Sequence, residues 1–294
     1  MTDKTTPRLP RYSKAKKAPP MRLTDRDKRI VEAVYRMRFL TSEQIKYWLF
    51  EEGSITACRR RLSFLFHNGY LADASKPKSA GYGSSKRIYC LSKKGAALIS
   101  HLYGEQEAKQ IKWNEKQNKV EHFFIEHTLA INDIWIAFSK AVVATNNYDL
   151  IWFKESEVKS WKEKVVDPEN TGKTLAITPD AFLYLTGNDK KANYFLEVDR
   201  ATESNRRWRD KVRGYVEFVY SRKYYDKFKS ESLRILTVTT SPERLTNLMK
   251  TTKNVDRADF FLFTTFEQIK NNDVLFDNIW QSPLKKGLTK LVKF

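Results

Sequence analysis

Thr178-Pro179-Asp180 opens one apolar run, and a second run, Tyr194-Phe195-Leu196, leads into Glu197-Val198-Asp199. The carboxylates therefore sit at matching ends of two segments whose composition predicts adjacent strands. Alternation along a strand sends Glu197 and Asp199 to one face, where either can reach a cation held by Asp180 across the sheet. Asp180, Glu197 and Asp199 are thus candidate metal ligands and catalytic residues. Two or three carboxylates with open water positions suit Mg²⁺ or Mn²⁺, which can clamp a phosphate and activate water. The same residues have a plainer reading: an acid after proline at a strand start is a turn residue, and Asp199 is an ion-pair partner for Arg206 or Arg209.

Apolar patterning around this stretch predicts a long helix over 119–143, strands over 150–158, 177–185 and 193–199, and a helix over 203–228. A strand over 233–239, a helix over 242–253 and a strand over 260–264 follow. Three strands able to form a meander, followed by helical crossovers to further strands, describe a mixed α/β sheet with helices on its faces. The first helix is apolar nearly all round (Phe123, Ile125, Leu129, Ile131, Ile134, Ile136, Phe138), which predicts burial.

The N-terminal third has a different grammar. Residues 1–22 hold Lys4, Arg8, Arg11, Lys14, Lys16 and Lys17 among prolines, a basic arm with little to bury. Thr24 can cap a helix carrying Ile30, Val31, Val34 and Met37. A second helix starts at Thr41 or Ser42 with Ile45, Trp48 and Leu49 on one face. Ser54 caps a third, with Ile55, Cys58, Leu62, Leu65 and Phe66 on its apolar side and Arg59, Arg60 and Arg61 across the others. Short strands at 70–72 and 87–91 flank a polar loop with Lys76, Lys78, Tyr82 and Lys86, and Arg87 opens the returning strand. Three helices and a hairpin predict a winged-helix domain over 23–103, in which the third helix enters the major groove and the hairpin loop follows phosphates. Residues 104–118 are polar and mixed in charge, a linker before an α/β domain over 119–294.

The balance of 54 Lys+Arg against 35 Asp+Glu, formally +19, argues for a polyanionic partner, with double-stranded DNA first. No apolar stretch looks able to span a bilayer, so a cytoplasmic protein without membrane contact is expected. Cys58 and Cys90 lack metal-ligand spacing and fall on apolar faces. The four histidines show no His-hydrophobe-His triplet of the kind a covalent relaxase uses.

The second half has the element order of the PD-(D/E)xK nuclease superfamily, with Asp180 and Glu197 where that superfamily places metal-binding acids. The chain also resembles the replication-relaxation family of plasmid and mobile-element proteins. The resemblance rests on His127-Thr128-Leu129-Ala130-Ile131-Asn132-Asp133, Pro179-Asp180-Ala181-Phe182, and 195–203 with Trp208 and Tyr215 downstream. Leu236-Thr237-Val238-Thr239 with Arg244 completes it. It implies an α+β winged-helix domain followed by an α/β restriction-endonuclease-like domain with a mixed central sheet. The function it implies is DNA binding in replication or relaxation of a plasmid, phage or integrative element, with metal-dependent nicking as an attached activity. Replication or mobilisation proteins, and a second copy in a homodimer, are the protein partners it suggests. One departure stands out: the motif position two after the glutamate is usually lysine, and here it is Asp199. Lys211, two turns into the next helix, is the nearest substitute. A non-catalytic regulator with a degenerate nuclease-like domain is the alternative.

Overall fold

The structure, a computed structural model, describes residues 9–11, 13–50, 53–75, 86–108, 111, 113–187 and 190–292. Lys4, Arg8, Lys76, Lys78 and Tyr82 lie outside the described residues. The chain forms two compact units, Met1–Asn132 and Asp133–Phe294. The division falls C-terminal to the expected linker at 104–118.

In the first unit, α1 (Asp25–Met37) begins with a capping box: the Thr24 side chain accepts from the Asp27 N–H, and Asp27 accepts from the Thr24 N–H. This satisfies two donors that a helix start leaves open. Strand β1 (Leu40–Thr41) leads into α2 (Ser42–Leu49), started by the same device with Thr41 and Gln44. Helix α3 (Ile55–His67), β2 (Leu71–Asp73) and β3 (Ile88–Leu91) follow. The strands form an antiparallel sheet in the order β1-β3-β2. Patterning did not foresee β1, since two residues carry no periodicity. Helix α4 (Lys93–Ala108) is interrupted at Gly104, whose φ of 79° only glycine adopts freely.

Helix α5 (His122–Thr145) starts in this unit. Its Ile125 packs with Phe39, Ile88 and Cys90. Gln44 donates to the Leu129 carbonyl at 2.8 Å, and Asn132 donates to the carbonyls of Met37 and Phe39 at 3.1 and 2.7 Å. The helix is not buried all round as its sequence suggests, because Phe123 and Val143 are exposed. It also corrects the expectation on apolar length: by length and composition α5 could cross a membrane. Its residues up to Asn132 bond to the rest of the first unit.

In the second unit come β4 (Tyr148–Lys154), α6 (Glu155–Ser160), β5 (Lys164–Asp167), β6 (Asn170–Ala176), β7 (Ala181–Gly187), β8 (Lys190–Asp199), α7 (Asn205–Tyr220) and α8 (Lys223–Phe228). Then follow β9 (Leu233–Thr239), α9 (Pro242–Lys253), β10 (Phe261–Thr265), α10 (Phe266–Asn271), β11 (Trp280–Gln281) and β12 (Leu288–Thr289). Seven strands form one mixed sheet in the order β12-β11-β10-β9-β8-β7-β4. Pairs β4–β7 and β7–β8 are antiparallel, whereas β8–β9 and β9–β10 are parallel across helical connections.

Three expectations change here. The strand expected to reach 158 stops at Lys154, because Glu157 accepts the Lys154 N–H and starts α6, which buries Val158. The helix expected over 203–228 breaks at Arg222, whose backbone is left-handed at φ 64°. The hairpin β5–β6 was not foreseen, since β6 buries only Leu175 and carries no alternating pattern. Beneath the sheet, Phe195, Trp208, Val212, Tyr215, Phe218, Phe261 and Phe263 belong to one core that seats α7 against β8.

Candidate functional site

Asn193, Phe195, Glu197 and Asp199 alternate along β8 on one face of the sheet, and the chemistry of that row changes along the strand. Asn193 donates to the Tyr224 hydroxyl at 2.8 Å, Phe195 enters the core, and Glu197 and Asp199 are buried acids. The Glu197 side chain is 2% exposed, and its Oε2 lies 2.7 Å from Lys211 Nζ. Its Oε1 accepts from the Tyr215 hydroxyl. Lys211 and Tyr215 stand four residues apart on α7, so one helix face delivers both. Lys211 also reaches Glu203 at 3.3 Å.

Asp180 immediately precedes β7. Its N–H donates to the Leu196 carbonyl at 2.9 Å and its Oδ2 accepts from the Val198 N–H at 2.7 Å. This exchange holds Asp180 beside Glu197, whose register partner it continues from Ala181 opposite Leu196. Burial pushes the Glu197 carboxyl up to about 7; the Lys211 charge works against that rise and the Asp180 charge adds to it. For Lys211, burial works to lower the value, but Glu197, Asp180 and Glu203 together raise it. Burial and the Glu197 charge raise the Tyr215 phenol well above its ordinary value, which keeps it a donor. Lys211 thus pairs with Glu197 and Glu203, and the Asp180 charge adds to the negative field around it.

The structure brings Asp180, Glu197 and Lys211 together and takes Asp199 elsewhere. Both Asp199 oxygens face Arg244, with Nε to Oδ2 at 2.8 Å and Nη2 to Oδ1 at 2.9 Å, and Thr239 donates to Oδ2 at 2.7 Å. Arg244 further donates to the Glu203 carbonyl at 2.6 Å and to Asn205 Oδ1 at 3.0 Å. The ion-pair reading of Asp199 therefore has its partner in α9, rather than in Arg206 or Arg209. Spacing on α7 would have revealed Tyr215 beside Lys211. No local signal marks Arg244, 45 residues from Asp199.

A divalent cation at this donor set would have to displace partners already in place. Both oxygens of Glu197 and both of Asp199 are engaged by ammonium, phenol, guanidinium or hydroxyl groups. Among the described residues, no three His, Cys, Asp or Glu side chains gather as a metal-binding group. Lys211 supplies the positive charge that a metal would bring.

In the first unit the basic residues divide. Arg61 bonds both oxygens of the fully buried Asp27 and the Arg22 carbonyl, so it serves the fold. Arg87 pairs with Asp73 at 3.0 Å and lies 4.7 Å from the Phe66 ring centre. Arg59, Arg60 and Lys86 are exposed. Arg59 carries a solvent-facing pair with Glu43 at 2.8 Å, a kind of pair that contributes little and exchanges readily.

Comparison with known proteins decides the family. The family model described as Replication-relaxation matches residues 31–230, more than half of the chain. The chain belongs to the replication-relaxation family. The match begins within α1 and takes in α2, α3, the acid cluster, Lys211 and Tyr215. Among curated proteins nothing matches. A solved structure of the restriction endonuclease FokI is similar at 12% identity and a TM-score of 0.30, covering 82% of this chain and 43% of that one. The chain spans less than half of that protein, and a likeness this loose carries no weight for fold or site.

Proposed function

We propose that this replication-relaxation protein is a cytoplasmic DNA-binding protein of a plasmid, phage or integrative element, acting in replication or relaxation of that element's DNA. The first unit serves as a winged helix over 23–103, with α3 as the groove-entering helix and the β2–β3 hairpin as the wing. The observation that carries this reading is the division of charge on α3. Arg61 turns inward to a buried carboxylate, while Arg59 and Arg60 remain on the solvent side, where a duplex could meet them. The formal charge of +19 favours the encounter.

The second unit, Asp133–Phe294, which takes in the end of α5, acts in this account as a restriction-endonuclease-like platform whose Glu197 is paired with its own Lys211. A second reading, metal-dependent nicking through Asp180 and Glu197 with Mg²⁺ or Mn²⁺, draws support from one distance, the 2.7 Å between Lys211 and Glu197. That puts a lysine beside the glutamate despite Asp199 at the usual lysine position. It would need Lys211 to give up Glu197.

A salt-titrated shift assay on the full chain tests the binding reading. Arg60→Ala should weaken duplex binding about tenfold and shallow the salt dependence, with the melting temperature unchanged. Duplex affinity and salt slope equal to wild type in an Arg59→Ala/Arg60→Ala double variant would refute it.

A further inference from the structure

The α/β unit carries a second basic surface, at the turns that flank α8, which the acid cluster does not use. Tyr220 and Tyr225 are the exposed aromatic side chains of this unit among the described residues, at 47% and 36%. Cations lie over both rings, and the Tyr220 hydroxyl also donates to the Asp256 carboxylate. The Arg222 guanidinium lies 4.3 Å from the Tyr225 ring centre and Lys229 Nζ 5.8 Å, and the Arg257 guanidinium lies 5.9 Å from the Tyr220 ring centre. All three cationic residues have left-handed backbones, at φ 64°, 48° and 58°. Long side chains adopt that conformation at a cost, and it persists where surrounding structure enforces it.

Packing does not account for Tyr225. Its neighbour Tyr224 anchors α8, 2% exposed, donating to the Ser232 carbonyl at 2.7 Å and accepting from Asn193 at 2.8 Å. Lys223 and Lys227 fasten the same helix, through the Lys164 carbonyl at 2.6 Å and Glu163 at 2.8 Å. Arg222 has only a loose, exposed approach to Glu231 at 3.6 Å. The helix is thus held by one set of residues, while another set presents an aromatic face between positive charges.

We propose that this surface is a stacking platform for single-stranded DNA. Unpaired bases take the places of Arg222 over Tyr225 and of Arg257 over Tyr220, and the displaced guanidiniums, with Lys229, meet the phosphates of the same strand. Within a duplex each base face is covered by its neighbours, so an exposed ring between cations fits a strand whose base faces are open. Net charge draws in any polyanion; the rings add a contact that only unpaired bases offer.

Fluorescence anisotropy on the full-length protein, with labelled oligothymidine, an abasic strand of equal length and a duplex, tests this directly. Tyr225→Ala should weaken oligothymidine binding about tenfold, the range of one base-on-aromatic contact, and leave the abasic strand and the duplex unaffected. Tyr225→Phe should bind as wild type. Wild-type oligothymidine affinity in Tyr225→Ala, or an equal loss on the abasic strand, would overturn the proposal. Should Tyr225→Ala lower the melting temperature, an Arg222→Ala/Lys229→Ala variant decides, by losing or keeping affinity for both single strands. The winged-helix reading fails separately, on the duplex arm with Arg60→Ala.

Discussion

Each unit of this protein buries an acid beside a cation, and Asp27 with Arg61 in the first behaves in the opposite way to Glu197 with Lys211 in the second. In the first unit Asp27 is fully buried, yet its oxygens are met by the Thr24 N–H at 2.7 Å, the Thr24 hydroxyl at 2.9 Å and the Arg61 guanidinium. Burial works to raise its carboxyl, but Arg61 and Thr24 outweigh that and hold it below its usual range. In the second unit Glu197 shares Lys211 with Glu203, and burial leaves its carboxyl high. The first arrangement is a fastener with a donor for every oxygen. In the second, burial and the Asp180 charge hold the Glu197 carboxyl high against the pull of Lys211, a condition under which functional sites are found.

The largest effect should come from breaking the fastener. Arg61→Ala leaves Asp27 charged and unpaired in the interior, a loss of about 3 kcal/mol by analogy with other broken buried pairs. Urea unfolding should show it at pH 7. The sign of its pH dependence is fixed by the lowered carboxyl: the pair's contribution is present above the ordinary aspartate value and is lost as pH falls through the folded one. An Arg61→Ala protein as stable as wild type would remove the distinction between the two acids.

Asp199 gives the next effect. Asp199→Asn should cost about 2 kcal/mol by weakening the two-pronged contact with Arg244. Asp199→Lys, which would restore the residue usual in the nuclease motif, should be worse, since it sets an ammonium against that guanidinium. A folded Asp199→Lys variant that nicks DNA would show that Arg244 is not the partner that governs this position.

Glu197→Gln sharpens the comparison through pH. The folded carboxyl, at about 7, lies above its ordinary 4.5, so its stabilising contribution is full below that ordinary value and is lost as pH rises through 7. Removing the titration should therefore shift the difference in stability between variant and wild type in the variant's favour, on the order of 2 kcal/mol, between pH 5 and pH 8. A difference independent of pH would mean that Glu197 titrates normally. The smallest stability effect belongs to Arg60→Ala, within about 0.5 kcal/mol of wild type, although it should lower duplex affinity.

These contrasts also explain what was legible before the fold was known. Helix starts were readable because Thr24, Thr41 and Ser54 act locally, within three residues of the donors they satisfy. The pairing of Asp180 with Glu197 was readable because strand alternation and a matching apolar run place both acids at one sheet end. Lys211 could be proposed because the resembled motif expects a lysine where Asp199 stands and Lys211 lies two turns into the next helix. The partner of Arg61 lies 34 residues away and that of Asp199 lies 45 away, so neither leaves a periodic trace. For that reason the sequence leaves open which of Arg59, Arg60 and Arg61 turns inward, and it groups Asp199 with Asp180 and Glu197. Tertiary contacts divide both sets.

The account turns on whether the lysine-paired acid cluster cuts DNA. Supercoiled DNA incubated with the full-length protein and Mg²⁺ or Mn²⁺, under conditions where a shift assay shows it bound, measures this directly. The account predicts saturable binding with no conversion to open circles above the level of protein-free DNA. Metal-dependent nicking that Glu197→Gln abolishes would contradict it.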